Sequence, residues 1–146
     1  MTLLAPVRPT GIGHRIILCA MTLERVALAG TARGSTRVER TGVGVGAASR
    51  AARRVVATRP SLIATLGLCG ALEPGLRVGD VIVADEVLDL GSGARYACDA
   101  SACARVAGRR GSLVTAAAPL RSASERRAAP GVAVDMESAP IAREAA

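Results

Sequence analysis

Five short apolar runs limit what this chain can fold into. They are RIILCAM (15–21), SLIATLGL (61–68), VIVADEVLDL (81–90), GSLVTAA (111–117) and GVAV (131–134). None reaches membrane-spanning length, and none alternates strictly with polar residues, which is the pattern of strands covered on both faces. STRVER (35–40) alternates weakly and reads as a further short strand. Between the runs lie segments of helix formers: TLERVALAG (22–30), AASRAARRVVATR (47–59), SASERRAA (122–129) and the tail that follows Glu137. In residues 47–59 an Ala/Val face opposes an Arg face, and Pro60 ends the helix. Strands alternating with helices predict an α/β domain with a largely parallel sheet. Residues 1–14 carry Pro and Gly without periodicity and read as a loose leader, so the domain is expected over 15–146. Residues 69–80 are rich in turn formers, and residues 91–110 are small and polar with no clear period.

The core of such a domain has to be made without rings. The chain has one Tyr and neither Phe nor Trp, so Ala, Val, Leu and Ile must fill the interior, each burying less area than an aromatic residue. All 19 basic residues are Arg, and the net charge is +7. A nucleic-acid surface would cluster these charges and interleave aromatic residues for base stacking; here the arginines are scattered, so nucleic acid is not the expected partner. The four cysteines, Cys19, Cys69, Cys98 and Cys103, form no C-x-x-C pair, and His14 is the sole histidine, so no zinc site is expected. Cys19 and Cys69 lie in apolar runs and read as small buried residues. With no signal-peptide pattern at the N-terminus, a soluble cytoplasmic protein with reduced thiols is expected.

Four local motifs bear on chemistry. TGVGVGAAS (41–49) contains G-x-G-x-x-A, but no acidic residue follows at the spacing a dinucleotide site needs, which argues against a nicotinamide cofactor. A glycine loop that opens a helix can still present backbone N–H groups to an anion or a polarised water, or serve simply as a tight turn. In GLCGAL (67–72), Cys69 has the setting of a nucleophile in a turn. The only histidine that could activate it lies near the leader, so a structural cysteine is the better reading. Glu24 follows the first strand within AMTLE. Asp135 and Glu137 flank Met136 at the end of the last strand; alone, they are ordinary first-turn acids ahead of a helix capped by Ser138.

In this order, CAMTLE, TGVGVGAAS, TLGLCGALEPGLRVGDVIVADEV and VAVDMESAPIA resemble the nucleoside phosphorylase and nucleosidase family, which includes purine nucleoside phosphorylase and methylthioadenosine/S-adenosylhomocysteine nucleosidase. The likeness spans roughly residues 15–146, with 61–87 its most specific part and 91–110 its poorest. The short connection from Glu24 to Thr41 and the VDMES motif look more like the hopanoid-associated branch. The resemblance implies a three-layer α/β/α domain with a central mixed, largely parallel sheet.

The resemblance also implies cleavage of the N-glycosidic bond of a 5′-substituted purine nucleoside by water or phosphate, with no metal or organic cofactor. Glu24 would orient the attacking water. Thr41, Gly42 and Gly44 would bind the nucleophile. Glu137 would accept ribose hydroxyls, with Met136 packed on the sugar, and Cys69 and Gly70 would line the sugar and base. Asp135 would support the loop rather than touch ligand. Family members are dimers or higher oligomers, so self-association is expected. There are two departures. Residues 118–120 are Ala, Pro and Leu where the family places an aromatic ring over the base. The family's purine-protonating aspartate follows the helix that here reaches Ala146. The resemblance therefore implies missing C-terminal strands and helix and weak activity of this chain alone. The rival reading is a catalytically inactive nucleoside-binding or assembly module of the same fold.

Overall fold

The computed structural model describes residues 2–3 and 13–146. The elements run in the order expected from the apolar runs, with shorter strands. β1 is Thr2–Leu3 and β2 Arg15–Cys19; α1 (Thr22–Leu28) continues into a single 3-10 turn, and β3 is Thr36–Arg40. Then follow α2 (Val45–Ala57), β4 (Leu62–Thr65), β5 (Gly70–Ala71), β6 (Ile82–Asp89), β7 (Arg95–Ala97) and α3 (Ala100–Cys103). The last elements are β8 (Arg109–Thr115), α4 (Ala123–Ala128), β9 (Ala133–Asp135) and α5 (Ser138–Ala145). Thus the unpatterned segment 91–110 holds a short strand and one helical turn. Of the leader expected at 1–14, residue 1 and residues 4–12 lie outside the described residues, and Thr2–Leu3 pairs antiparallel with β4.

This is the α/β fold with largely parallel strands that the sequence predicts. The strands form two hydrogen-bonded sheets, ordered β1-β4-β2-β3 and β5-β9-β8-β6-β7. β2 runs parallel to β3 and β4, and β8 runs parallel to β6 and β9; β1, β5 and β7 are antiparallel to their neighbours. Parallel neighbours need crossovers, and the Ala/Arg segments supply them as helices.

Small side chains let α2 and α5 pack closely over the strands. Ala48, Ala52 and Val55 of α2 meet Ala139, Ile141 and Ala142 of α5 above Ile16, Leu18, Ile63 and Val87. With no ring except the partly buried Tyr96 at this core, alanines allow the close helix approach that replaces aromatic bulk. Glu144 locks the same pair: its carboxylate accepts from Ser49 Oγ at 2.8 Å and from Arg53 Nε at 3.0 Å. On the other face of β4, Ala64 joins Val83 of β6 and Cys103 of α3, so the first sheet is covered there by the second.

Because β2, β3, β4 and β9 reach the same end of the molecule, their C-terminal loops converge there. Ligands of open α/β sheets commonly bind outside the C-terminal ends of the strands. The loop after β2 carries Glu24, the loop after β3 carries Thr41 to Gly44, the loop after β4 carries Cys69, and the loop after β9 carries Asp135, Met136 and Glu137.

Candidate active site

Two adjoining cavities open at this convergence. The smaller, about 30 Å³, is lined by Glu24, Thr41, Thr65, Asp135, Glu137 and Ser138 among others. That volume suits one or two waters, and the polar wall supplies the partners a buried water needs. The larger, about 340 Å³, lies within the range of small-molecule sites. Its walls are mainly apolar, with Met21, Val43, Leu68, Pro119, Leu120 and Met136 among them. Glu24, Cys69, Asp135 and Glu137 border both cavities.

Glu24 is only 8% exposed, far from an ordinary surface acid. One carboxylate oxygen accepts from the backbone N–H groups of Ala20 at 2.9 Å and Met21 at 2.8 Å, and the other accepts from Leu68 N at 2.8 Å. The side chain therefore ties the end of β2 to the loop after β4. Gly67 makes this possible, since a Cβ there would lie 2.9 Å from the Glu24 carboxylate.

The glycine loop turns as its composition suggests. Gly42 and Gly44 have φ of +86° and +89°, a region costly for other residues. Thr41 donates its hydroxyl to the Gly42 carbonyl at 2.8 Å, with the Cys19 carbonyl at 3.2 Å. Gly44 N–H, at the start of α2, donates to Glu137 Oε1 at 2.6 Å. The anion at this helix N-terminus is thus a carboxylate from the far end of the chain, which the helix dipole favours. Gly42 and Gly44 line neither cavity, and Gly70 and Met136 line the larger one.

Asp135 ties its loop to β8 and to the start of α5. Its carboxylate accepts from Thr115 Oγ1 at 2.7 Å and from Ser138 N at 3.0 Å, and Thr115 Oγ1 in turn accepts from Ala139 N at 2.9 Å. Asp135, not Ser138, therefore caps α5; Ser138 is the first helical residue, with its side chain buried. Burial pushes the Asp135 carboxyl up to about 6, the hydrogen bonds from Ser138 and Thr115 oppose the shift, and Glu137 adds to it.

Cys69 departs from expectation, because it is exposed on the pocket loop while Cys19 is buried. The strand ends at Thr65, four residues before the cysteine, so the apolar run continues into a loop. Desolvation by the surrounding pocket raises the Cys69 thiol above its ordinary range, with Asp135 adding to the rise, so it does not favour a thiolate nucleophile. His14 bonds to Thr58 Oγ1 at 2.9 Å, before the start of β2 and at the opposite end of that strand from the site. Arg126, which sequence reasoning missed, is the only cationic residue among the described residues that line the two cavities. Its Nη1 donates to the carbonyls of Leu120 and Arg121. Nothing in the local pattern of α4 distinguishes it from the other arginines.

Among the described residues no group of three His, Cys, Asp or Glu side chains could hold a metal ion, and no helix is long and apolar enough to cross a membrane.

Residues 20–146 match the family model of the phosphorylase superfamily. A search of curated proteins gives no match. Among solved structures, the fold is similar to a futalosine hydrolase mutant of Helicobacter pylori, with a TM-score of 0.77 and 16% identity over 91% of this chain and 83% of that one. It is similar to 5′-methylthioadenosine/S-adenosylhomocysteine nucleosidase of Neisseria meningitidis in complex with methylthio-immucillin-A, with a TM-score of 0.78 and 22% identity over 91% of this chain and 79% of that one. It is also similar to S-adenosylhomocysteine nucleosidase of Streptococcus pyogenes in complex with 5-methylthiotubericidin, with a TM-score of 0.78 and 22% identity over 93% and 78%.

Proposed function

The chain belongs to the phosphorylase superfamily, and from that premise we propose that it cleaves the N-glycosidic bond of a purine nucleoside with water as the nucleophile. The observation that carries this reading is the pairing of a water-sized carboxylate-lined cavity with a 340 Å³ apolar pocket. The nucleoside occupies the larger pocket, with its ribose hydroxyls toward Glu137 and its sugar against Met136. The carboxylate accepts hydroxyl protons and stabilises the positive charge that builds on the ring as the C–N bond breaks. Gly44 N–H holds Glu137 in place for this work. Thr41 and Glu24 shape the cavity that holds the attacking water.

Phosphate fits the small cavity poorly. Its charge would face Glu24, Asp135 and Glu137, and no Arg among the described residues lines that space. The similar structures are those of two nucleosidases and a hydrolase, which agrees with water. The pocket has room for a 5′ substituent, and the base lies against 118–120 and Arg126 without an aromatic partner. Self-association belongs to the same proposal. Leu23 and Val26 of α1 are 73% and 68% exposed, and Leu68 at the pocket is 73% exposed, leaving apolar surface for a second copy.

A second reading is binding without turnover. Among the described residues, Glu24, Asp135 and Glu137 are the acids lining the larger pocket, and all three also border the small cavity. Base release from methylthioadenosine, adenosine and inosine, with and without phosphate, decides between the readings. Phosphate-independent release supports hydrolysis. Release only with phosphate overturns the choice of water, and tight binding of nucleosides with no release supports the second reading.

A further inference from the structure

We propose that Arg126 selects the base: its guanidinium pairs with the two adjacent acceptors of a 6-oxopurine, so inosine-type nucleosides are preferred over adenosine-type ones. This rests on the nucleoside-binding reading above. The larger pocket has two unlike walls. Glu24, Asp135 and Glu137 belong to the wall it shares with the small cavity, whereas Ala118, Pro119, Leu120 and Arg126 line the larger pocket only. An attacking water approaches the anomeric carbon opposite the departing base. A water in the small cavity therefore turns the base toward the second wall. Ala118, Pro119 and Leu120 give that wall packing surface but no side-chain hydrogen bond. Among the described residues, the side chains lining the larger pocket are apolar apart from the three acids, Cys69 and Arg126. In an apolar pocket the few polar groups set specificity, and on the base side that group is Arg126.

The guanidinium is anchored and still has donors to give. Its Nη1 donates to the Leu120 carbonyl at 3.3 Å and to the Arg121 carbonyl at 3.0 Å, which fixes its place and occupies acceptors that would suit an amino group. Nε and Nη2 meet no acceptor among the described residues, and no carboxylate there forms an ion pair with Arg126. Glu125, its chain neighbour, turns its carboxylate to the backbone N–H groups of Arg121 at 2.9 Å and Ser122 at 2.7 Å.

A guanidinium only donates. A 6-oxopurine presents N7 and O6 side by side, two acceptors that match its fork. A 6-aminopurine presents N7 beside an amino group, which would meet the guanidinium donor to donor. Arg126 is exposed, so water competes for its donors and the discrimination falls toward the low end for such pairs, about tenfold.

The test is calorimetric binding of carbocyclic inosine and carbocyclic adenosine to wild type, Arg126→Met and Arg126→Lys, alongside base release from inosine and adenosine. The carbocyclic sugar cannot form the ring cation of cleavage, so affinity is read without turnover. Wild type should bind the inosine analogue about tenfold more tightly, and Arg126→Met should bring the two affinities within about twofold by weakening the inosine analogue. Arg126→Lys should keep part of the preference, since an ammonium donates without the fork. Equal affinities in wild type, or tighter binding of the adenosine analogue, overturn the assignment. So does an Arg126→Met variant that lowers both affinities by one factor, the result expected of a mere brace for residues 120 and 121. Base release from both nucleosides without an Arg126-dependent preference overturns the assignment and leaves hydrolysis intact. An Arg126-dependent preference in binding, with no base released from either nucleoside, overturns hydrolysis and supports the assignment. If neither analogue binds, both fall together.

Discussion

Replacing Asp135 with asparagine should remove a pH-dependent penalty from the folded state. Burial is the main cause of the rise from 3.8 to about 6, and the hydrogen bonds from Ser138 and Thr115 only partly offset it. A group whose folded pKa exceeds its unfolded value contributes stability that is fully present below the unfolded pKa. That contribution is lost as pH rises through the folded pKa. A gap of about two pH units corresponds to about 3 kcal/mol in full, and about 2 kcal/mol of this falls between about pH 4.5 and 7.5. The assay is urea unfolding of wild type and Asp135→Asn at those two pH values. Other acids tilt the profile the opposite way; Glu73 and Glu144 are held low by hydrogen bonds from Arg109 and Arg53. The difference between the two proteins cancels that background. The variant should gain about 2 kcal/mol relative to wild type on going from about pH 4.5 to 7.5. Parallel pH profiles would refute the burial-raised carboxyl on which this estimate depends.

Glu137→Gln should weaken binding of a nucleoside analogue about tenfold or more, because a charge-assisted acceptor of ribose hydroxyls becomes neutral. Its melting temperature should stay within a few degrees of wild type; a large fall with unchanged affinity in calorimetry would make Glu137 a structural cap. Gly44→Val places a β-branched residue at φ +89°, which should cost at least about 1–2 kcal/mol and displace the N–H that holds Glu137. Wild-type nucleoside affinity in that variant would remove the glycine loop from the site. Gly131→Ala brings a Cβ within 2.6 Å of both the Ser112 carbonyl oxygen and Val114 Cγ2, so unfolding free energy should drop by about 2 kcal/mol or more. An unchanged urea midpoint would show that β8 and β9 can separate there without loss. Sedimentation at micromolar concentration should show a dimer or larger species; a clean monomer argues against the apolar surface of α1 as a contact.

The order of elements was legible in the sequence because buried parallel strands must be largely apolar and their crossovers must be amphipathic. RIILC, LIAT and IVADEVLD carry that constraint locally, as does the Ala/Arg pattern of α2. The turn at Gly42 and Gly44 was legible for the same kind of reason, since only glycine adopts such φ angles readily. The family motifs also placed Glu24, Thr41, Cys69 and Glu137 on one functional list, and four separate loops bring all four to the wall of the small cavity. What each does there was decided by contacts made across the chain. Glu24 reaches Leu68, 44 residues away, and Glu137 reaches Gly44, 93 residues away. Asp135 is buried and hydrogen-bonded only because β8 supplies Thr115 and α5 starts beside it. Cys69 became exposed because its strand ended early, and Arg126 reached the pocket because α4 follows the loop that walls it. A carboxylate's hydrogen-bond partners, burial and neighbouring charges set its chemistry. Those are properties of the closed fold, and no stretch of sequence around Asp135 contains them.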